Sequence, residues 1–427
     1  MPSFVRFPLA EGVNLYVYPT DKFKTVLLSV YLHLPLAKET VTASALLPMV
    51  MTRGTAPHPT TPELVRHLEG LYGATLAYDV GRRGEIQSLV FRLELPAETY
   101  LPGEKSLLER GVATLAEVLL MPATEGLGAA FKSEFVEQEK KNLREMIEGL
   151  INDKRRYALN RCREIMCEGE PYALYHLGRT EDLADITPAS LLAHWRRVLT
   201  SAPVDVLVVG EVDPDGVAEL IGRHLAIPAG GTREMPTTVV RAEVDGVRRV
   251  REEQKVNQGV LVVGMRTGVT ARDPDFFPMV VANGVLGAFP HSKLFLNVRE
   301  KNSLAYYAYS SIEAFKGVGF LYAGIEFANY DKALEIALAQ LEDLKQGKIT
   351  ETELEATRKA LISDALGVQD SPGRLVEEYV SGLVAGRTLT TEERVAAYQA
   401  VTLDQVVAAA QKLQVDTIYF LTKEGGA

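Results

Sequence analysis

The chain has 427 residues, of which 47% are hydrophobic, enough to fill more than one domain core. Its formal net charge of -10 at pH 7 argues against a general binder of nucleic acids or anionic membranes, because such proteins carry an excess of Lys and Arg. No apolar run reaches the roughly 18 residues of a membrane-spanning helix. The N-terminus lacks the basic and apolar regions of a secretory signal, so cytoplasm is the expected location unless a signal has already been removed.

The two cysteines agree with that location. Cys162 and Cys167 lie five residues apart in one helical stretch, where they point to different faces. They are therefore poor disulfide partners, as expected for a protein of a reducing compartment.

The first half of the chain predicts a mixture of strands and helices. An apolar strand is expected over 23–32, followed by a turn and a helix over about 42–52. Helix-forming and charged residues then run almost without interruption over 131–168. Thr187 is placed to cap a further helix, and the apolar run 204–210 follows it as a strand.

The second half repeats this order. A strand is expected over 257–265, followed by a turn and a helix that runs to about Leu286. Near the end, Thr402 is placed to cap a helix, and a strand follows over 415–421. Corresponding runs lie about 215 to 235 residues apart, which indicates duplication of a domain-sized unit rather than a short solenoid repeat.

A Gly-, Pro- and Thr-containing segment at 230–237 indicates a linker between the halves. The predicted domains are therefore 1–229 and 238–427. Strands are separated by pairs of helices, such as those expected over 330–344 and 351–366, rather than by single helices in regular alternation. This order predicts an α+β fold, with two homologous domains that each have an antiparallel-rich sheet with helices packed on one face.

The common local signatures of catalysis are missing. The sequence has no Gly-x-Ser-x-Gly elbow, no Walker phosphate loop and no Cys-x-x-Cys pair. The seven histidines are scattered, and no two lie four residues apart with a carboxylate between them, as in a helical zinc site. An enzyme that uses an unrecognised site, or a zinc site assembled from distant histidines, stays open as an alternative.

A block in the second half combines residues that suit the binding of a peptide. Arg299 and Tyr306 lie seven positions apart, after a predicted helix and a Gly-containing turn. Arg offers a fixed fork of donors and Tyr a hydroxyl, and both can bind carbonyl oxygens or developing oxyanion charge. Taken alone, a surface Arg and a half-buried strand Tyr would be the simpler interpretation. Adjacent strand residues point to opposite faces, so a cavity can be lined by Tyr306 and Ala308 or by Tyr307 and Tyr309, but not by both pairs.

Both halves resemble the pitrilysin or insulinase family of zinc peptidases, and specifically its processing-peptidase branch. In that family a strand leads to a helix with His-x-x-Glu-His, followed by a segment like Phe-Lys-Gly-Thr, and Arg-Gly-Thr at 53–55 matches its tail. The run 68–74 resembles the family's Leu-Gly-Ala turn. The resemblance covers essentially the whole chain, and the block with Arg299 and Tyr306 is its most specific part.

The resemblance implies a degenerate zinc site. Aligned on Arg-Gly-Thr, Ala45 and Met49 take the two histidine positions and Pro48 takes that of the general-base Glu. Gln138 and Glu145 fall on the family's Glu-x6-Glu pair, whose second Glu is the third zinc ligand. Ala45 and Met49 offer no nitrogen, and Pro48 offers no carboxylate. Glu145 alone cannot hold a catalytic zinc, and a solvated surface Glu is an equally good interpretation, so no cofactor is expected in this chain.

In the family, two homologous halves form a shell, and two shells close around a peptide whose backbone the Arg/Tyr pair binds. The resemblance therefore implies a zinc-less, non-catalytic subunit of a heterodimeric zinc endopeptidase that acts on peptides or presequence-like segments. A homologous partner would supply zinc, and Arg299 and Tyr306 would contribute to substrate binding. Two alternatives remain: a peptide-binding module, perhaps a homodimer, that captures without cutting, and a structural subunit like the core proteins of a respiratory complex.

Overall fold

The structure of the protein, a computed structural model, describes residues 3–228, 230 and 233–425. Three residues at the predicted linker, Ala229, Gly231 and Thr232, lie outside the described residues. The division of the chain into domains at this linker stays a prediction.

Strands and helices are numbered in chain order. Up to residue 224 they are β1 Val5–Ala10, β2 Val13–Pro19, β3 Thr25–Pro35, α1 Val41–Met51, α2 Thr61–Glu69, β4 Thr75–Arg83, β5 Ile86–Pro96, α3 Leu107–Leu120, β6 Thr124–Glu125, β7 Ala130–Phe131, α4 Ser133–Glu148, α5 Lys154–Met166, α6 Pro188–Ser201, β8 Val204–Gly210 and α7 Pro214–His224. From residue 248 they are β9 Arg248–Gln254, β10 Gly259–Arg266, α8 Phe276–Asn283, β11 Ala305–Glu313, β12 Val318–Ile325, α9 Tyr330–Lys345, α10 Glu351–Gly367, α11 Pro372–Ala385, α12 Thr391–Ala400, α13 Leu403–Gln411 and β13 Gln414–Lys423.

These elements form two compact units, and each unit takes segments from both halves of the sequence. The first unit consists of Met1–Glu148, Tyr175–Thr237 and Ser371–Val380. The second unit consists of Gly149–Leu174, Thr238–Asp370 and Ser381–Ala427. Helix α5 therefore belongs to the second unit although it lies in the first half of the sequence, and the first turns of α11 belong to the first unit.

The main sheet of the first unit has the strand order β1-β2-β8-β3-β5-β4, with β2 and β8 parallel and the other pairs antiparallel. Alternate residues of β3, such as Val26 and Leu28, point into a hydrophobic core that includes side chains of α1, α3, α4 and α6. The opposite face carries Tyr31, whose hydroxyl donates to Oε1 of Glu377 on α11 at 2.7 Å. The segment from α11 is thus attached to the second face of this sheet.

The sheet of the second unit has the order β11-β12-β10-β13-β9, with β13 and β9 parallel. This order repeats β4-β5-β3-β8-β2 of the first unit, including the position of the one parallel pair, as duplication predicts. One face packs against α8, α9 and α13. The other face packs against α5 through Cys162 and Met166. Cys162 and Cys167 are buried free thiols.

The α+β fold predicted from the order of elements is confirmed. The two predicted caps are also confirmed, because Thr187 and Thr402 each form a reciprocal capping box with the residue three positions later. Within the described ranges, every helix is too short or too polar to cross a lipid bilayer.

The long helical run expected over 131–168 was wrong in one respect, because it is broken in the middle. Helix α4 ends at Glu148, a 3-10 turn covers Gly149–Asn152, and α5 begins after the N-cap Asp153. Gly and Asn are weak helix formers, and the Asp153 carboxylate accepts the amide of Arg156 at 3.0 Å. These local preferences overcome the helical tendency of the flanking charged residues and end α4. Helix α5 then begins as a separate helix, which belongs to the second unit.

Candidate functional site

Helix α1, which the family resemblance assigns to the zinc-binding position, is almost entirely buried. Ala45 is 0% exposed and Met49 is 3% exposed. Pro48 lies inside the helix and has no amide to donate, while the hydroxyl of Thr52 donates to the Pro48 carbonyl at 2.8 Å. At the three predicted positions α1 thus presents a methyl group, a thioether and a pyrrolidine ring, none of which is a ligand that proteins use for catalytic zinc.

The acidic residue that α4 buries is Glu139, whereas the resemblance assigns Glu145 to the third ligand position. Glu145 is exposed, whereas Glu139 is 3% exposed. Six helical positions correspond to a rotation of about 240°, so the two carboxylates project from different faces of α4. Glu139 was missed from the sequence, although its spacing of four residues from Phe135 and from Leu143 places it on the buried face.

Glu139 is neutralised by a guanidinium. Nε of Arg53, in the turn after α1, lies 3.5 Å from Oε1 of Glu139, and the amide of Asn142 donates to Oε2 at 2.9 Å. The guanidinium carbon of Arg53 also lies 5.9 Å from the centroid of the Phe135 ring. Burial and the Glu139 charge raise the pKa of the neighbouring Tyr78, and Arg53 opposes them. The cluster is therefore an ion pair of Arg53 and Glu139 that lies against the Phe135 ring.

These residues do not fit the zinc ion that the family resemblance implies for this position. A catalytic zinc site needs three side chains that donate nitrogen, sulfur or carboxylate oxygen. Helices α1 and α4 bring only the Glu139 carboxylate, and a cation placed there would be repelled by Arg53. Throughout the described part of the chain, no group of three or more His, Cys, Asp and Glu side chains is arranged to hold a metal ion.

A buried Ser–His pair that joins α1 to α6 lacks the proton arrangement of a nucleophilic dyad. Oγ of Ser44 lies 2.9 Å from Nε2 of His194, and the guanidinium of Arg197 faces Nδ1 at 3.5 Å. Arg can only donate, so Nδ1 accepts and the proton resides on Nε2, which donates to Ser44 and cannot accept its proton. Burial, together with Arg197, lowers the pKa of His194 to about 4, which keeps the ring neutral.

A second group in the first unit has the order of a serine hydrolase triad but is closed to substrate. Nδ1 of His33 lies 3.1 Å from Oγ of Ser88, and Nε2 lies 3.1 Å from Oδ2 of Asp205. His33 and Ser88 are 0% exposed and Asp205 is 4% exposed. Because a carbonyl carbon must reach the serine oxygen, this group is a buried polar network of the sheet and not a catalytic centre.

Arg299 lies at the end of an irregular segment that follows α8. The predicted helix to Leu286 ends at Asn283 as an α-helix and continues as a π-helical turn, Gly284–Ala288. A second π-helical turn, Phe295–Glu300, carries Arg299, whose side chain is 41% exposed. Its guanidinium carbon lies 4.6 Å from the centroid of the Phe295 ring, and Nε lies 3.6 Å from a carboxylate oxygen of Glu300. Single π-turns are rare and are frequent at functional sites.

The Gly-containing turn predicted before Arg299 has a packing reason. A Cβ atom on Gly287 would lie 2.5 Å from the backbone nitrogen of Ser310 on β11, closer than real Cβ contacts. Only glycine allows the chain to pass this close to the strand. The turn therefore fixes the position of the Arg299 segment against β11.

Tyr306 lies at a β-bulge on the edge strand β11. Ala305 pairs with Ile325 and Tyr307 pairs with Gly324, so Tyr306 is the inserted residue. Just before it, Ser303 has φ +52, a left-handed conformation that non-glycine residues seldom adopt. Tyr306 is 63% exposed, and its hydroxyl donates to Glu326 at 3.5 Å. The bulge, three residues after the left-handed Ser303, thus projects the Tyr306 ring from the strand.

The two predicted binding residues contact different neighbours. Tyr306 faces Glu326, whereas Arg299 lies over Phe295, which in turn contacts Tyr309 at a ring distance of 6.1 Å. Through the Phe295 ring, the Arg299 side chain is thus connected to the face of β11 that carries Tyr307 and Tyr309. Sequence reasoning missed Phe295, although its position four residues before Arg299 places the two side chains on one side of a helical turn.

A buried charge cluster in the second unit was also missed. The guanidinium of Arg266 pairs with Glu170 at 2.8 Å and with Asp416 at 3.0 Å, and Nζ of Lys316 lies 2.6 Å from the other Glu170 oxygen. Arg266 also donates to the carbonyl of Met166, the last residue of α5, at 2.6 Å. The cluster attaches α5 to the sheet of the second unit. Its members are too far apart in sequence for any spacing rule to group them.

The fold and these residues together define a class: a duplicated α+β fold in which α1 has no metal ligand at the positions that the family resemblance assigns to zinc. The family model described as "Peptidase M16 inactive domain" matches residues 185–361. The probable inactive metalloprotease YmfF of Bacillus subtilis (strain 168) is 37% identical over 416 residues, which are 97% of each chain. The chain belongs to the M16 family of peptidases, as the pitrilysin and insulinase resemblance predicted.

Solved structures agree with this assignment. A conserved protein from Enterococcus faecalis V583 is similar with a TM-score of 0.90 and 31% identity, and the match covers 99% of both chains. The peptidase M16 inactive domain from Pseudomonas fluorescens is similar with a TM-score of 0.80 and 17% identity, over 99% of this chain and 98% of that one. The second likeness shows the fold alone.

Proposed function

We propose that this chain is the zinc-less, non-catalytic subunit of a heterodimeric M16 zinc endopeptidase. Its partner would be a homologue with an intact His-x-x-Glu-His helix, which supplies zinc and the general base. This chain would bind the backbone of the peptide through Arg299 and Tyr306.

The observation that carries this proposal is the chemistry at α1. The family resemblance assigns Ala45, Pro48 and Met49 to the positions of two ligands and the general base, and Arg53 pairs with the one buried carboxylate nearby. A side chain set of this kind has no means of activating water through a metal. The matching family model and the relative YmfF are both described as inactive, which supports the same conclusion for this chain.

The retained Arg299 and Tyr306 support a role in holding peptide rather than in mere structure. Both side chains are exposed to solvent, at 41% and 63%, yet both project from unusual backbone that a purely structural surface has no reason to keep. A guanidinium and a phenol hydroxyl are the donors that peptide carbonyl oxygens accept. Edge strand β11 also has one unpaired side, to which an extended peptide can add main-chain hydrogen bonds.

Reconstitution tests the proposal. The chain alone, the zinc-bearing homologue encoded in the same genome alone, and the two mixed are assayed on one unstructured peptide. We expect the mixture to elute as one complex on gel filtration, to contain zinc, and to cleave far faster than either chain.

The chain alone should bind no stoichiometric zinc and should not cleave. About one tightly bound zinc per chain, with cleavage that a chelator abolishes, would contradict the zinc-less assignment. A homologue that is fully active without this chain, or a chain that forms only homodimers, would instead favour a peptide-capturing or structural homodimer.

A further inference from the structure

A row of half-exposed aromatic rings continues from Arg299 across the second unit's sheet. The ring centroid of Tyr309 lies 6.1 Å from that of Phe295 and 6.2 Å from that of Tyr322. The ring centroid of Tyr322 lies 6.4 Å from that of Tyr307. We call Phe295, Tyr307, Tyr309 and Tyr322 the aromatic strip. All four side chains are of intermediate exposure, so the ring faces are only partly covered by the protein.

The strip follows from the strand pattern. Tyr307 and Tyr309 are two residues apart on β11 and therefore point to the same face, while Ala308 between them is fully buried in the core on the opposite face. Tyr322 pairs directly with Tyr309 across the neighbouring strand β12. Helix α5 covers the central strands of this face, and the strip lies towards the edge strand.

Both ends of the strip carry a guanidinium. Arg299 lies over Phe295 at one end. At the other end, burial and the negative charge of Asp153 raise the pKa of Tyr307 to about 12, and the positive charge of Arg155 opposes that rise. Burial also raises the pKa of Tyr322, and Arg155 again opposes the rise. The side chain of Arg155 is exposed and forms no ion pair with any residue that the structure describes, whereas Arg299 has only Glu300 at 3.6 Å.

We infer that the aromatic strip binds an extended peptide segment whose large apolar side chains are flanked by acidic side chains. This inference rests on the proposed function, because it specifies the peptide that Arg299 holds. Rings with centroids about 6 Å apart match the spacing of alternate side chains along an extended peptide, close to 6.7 Å, so every second side chain can pack against a ring. Acidic flanks would pair with Arg155 and Arg299, whereas the basic flanks of a presequence-like segment would be repelled.

Binding to this chain without its partner tests the inference. Three labelled peptides of about ten residues, roughly 33 Å when extended, share one length. The first has large apolar residues with acidic flanks, the second has the same apolar residues with basic flanks, and the third has acidic flanks with Ser in place of the apolar residues. Fluorescence anisotropy at low salt should give the first peptide an affinity about five- to tenfold higher than the second, and the difference should shrink at high salt.

Charge reversal on α5 provides a matched pair of variants. Arg155→Glu should abolish or reverse the preference for acidic flanks, whereas Arg156→Glu, at the adjacent exposed position, should leave it unchanged. Both side chains are on the surface, so neither variant is expected to disturb folding. Tyr322→Ala should weaken the first peptide about tenfold and Tyr322→Phe, which keeps the ring, should not.

Equal or tighter binding of the basic peptide, an unchanged preference in Arg155→Glu, or failure of all three peptides to bind would overturn the inference. The outcome is separable from that of the proposed function. A reconstituted complex that cleaves peptides without preferring acidic flanks would refute only the inferred peptide preference of the aromatic strip. Preferential binding of the acidic apolar peptide by a chain that never assembles with a zinc-bearing homologue would refute only the heterodimer.

Discussion

Arg53 places a fixed positive charge after helix α1, close to the positions that the family resemblance assigns to metal ligands. Its partner Glu139 is 3% exposed, so solvent screens this carboxylate poorly. Removing Arg53 would leave the Glu139 charge buried and unpaired, whereas the Arg53 side chain, 36% exposed, could be solvated without Glu139. The absence of nitrogen ligands at Ala45 and Met49 is thus accompanied by a charge arrangement that disfavours a metal, and introducing the ligands alone does not reverse it.

Rebuilding the His-x-x-Glu-His motif should fail for this reason. The triple variant Ala45→His, Pro48→Glu and Met49→His is expected to bind zinc weakly and to show little cleavage by itself. Weak outer shells typically cost about 10- to 100-fold in metal affinity or activity, and Arg53 adds direct repulsion. Titration calorimetry with zinc measures the affinity. Adding Arg53→Met to the triple variant should strengthen zinc binding, and a triple variant that is already a robust zinc peptidase would contradict the argument.

His194 should make the stability of the first unit depend on pH. Its pKa is lowered from 6.5 to about 4 in the folded protein, so the unfolded state binds more protons between these values. Stability is therefore complete above about pH 6.5 and falls as the pH is lowered towards 4, by up to about 3 kcal/mol. Urea unfolding at a series of pH values measures this. His194→Gln should lose less stability over that interval than the native chain, and identical slopes would exclude His194 as the cause.

Among the helices and strands, sequence motifs predicted those features that depend on interactions between residues close together in the chain. The capping boxes at Thr187 and Thr402 follow from side chains within a few residues. The exchange of α5 and the first turns of α11 between the units could not be predicted, because it depends on which sheet face remains to be covered. The bulge at Tyr306 was equally hidden, since an inserted residue is defined by the register of the partner strand.

The same distinction between local and long-range interactions applies to the candidate functional site. The assignment of Ala45, Pro48 and Met49 to the zinc positions rests on the family resemblance around Arg-Gly-Thr and stays a prediction. The buried acidic residue of α4 was not predicted, because Glu139 and Glu145 are distinguished only by which face of the helix is packed. The aromatic strip joins residues from a π-helical turn and two strands, and no periodicity within one segment can assemble them.

The anchoring of α5 can be measured through its charge cluster. Burial alone would raise the pKa of Glu170, but hydrogen bonds from Arg266 and Lys316 outweigh it and hold the pKa below its usual value. Glu170→Gln leaves two buried cations with too little negative charge and should cost about 3–5 kcal/mol at neutral pH. The Glu170 contribution is present above its unfolded pKa and is lost as the pH falls through the lowered folded pKa, so the cost should shrink in acid.

Glu168 provides the matched control for this experiment. Its side chain is 82% exposed and lies 3.6 Å from Arg248, so Glu168→Gln should change stability by less than about 0.5 kcal/mol. Both variants are compared by urea unfolding at neutral and acid pH. Equal, small effects of the two substitutions would mean that the cluster does not anchor α5.

In the whole molecule, the proposed function divides two tasks between this chain and its partner, which are to hold the peptide and to bind zinc. The first unit has the Arg53–Glu139 ion pair close to α1, where the family resemblance predicts a degenerate zinc site. The second unit keeps Arg299 and Tyr306 in exposed positions on irregular backbone. If the chain acts with a zinc-bearing partner, substitutions in the second unit should change catalysis without changing metal content.

The reconstituted complex allows this separation to be tested directly. Arg299→Ala and Tyr306→Phe should each lower kcat/KM of the zinc-bearing partner while assembly on gel filtration and zinc content stay unchanged. Removing one donor from an oxyanion-type site costs about 3–4 kcal/mol where the contact forms mainly in the transition state, and less where it serves ground-state binding. Tyr306→Phe keeps the ring, so a loss there reports the hydroxyl. Tyr307→Phe also keeps its ring and should be nearly silent, whereas full activity in both Arg299→Ala and Tyr306→Phe would reduce this chain to a structural cover for its partner.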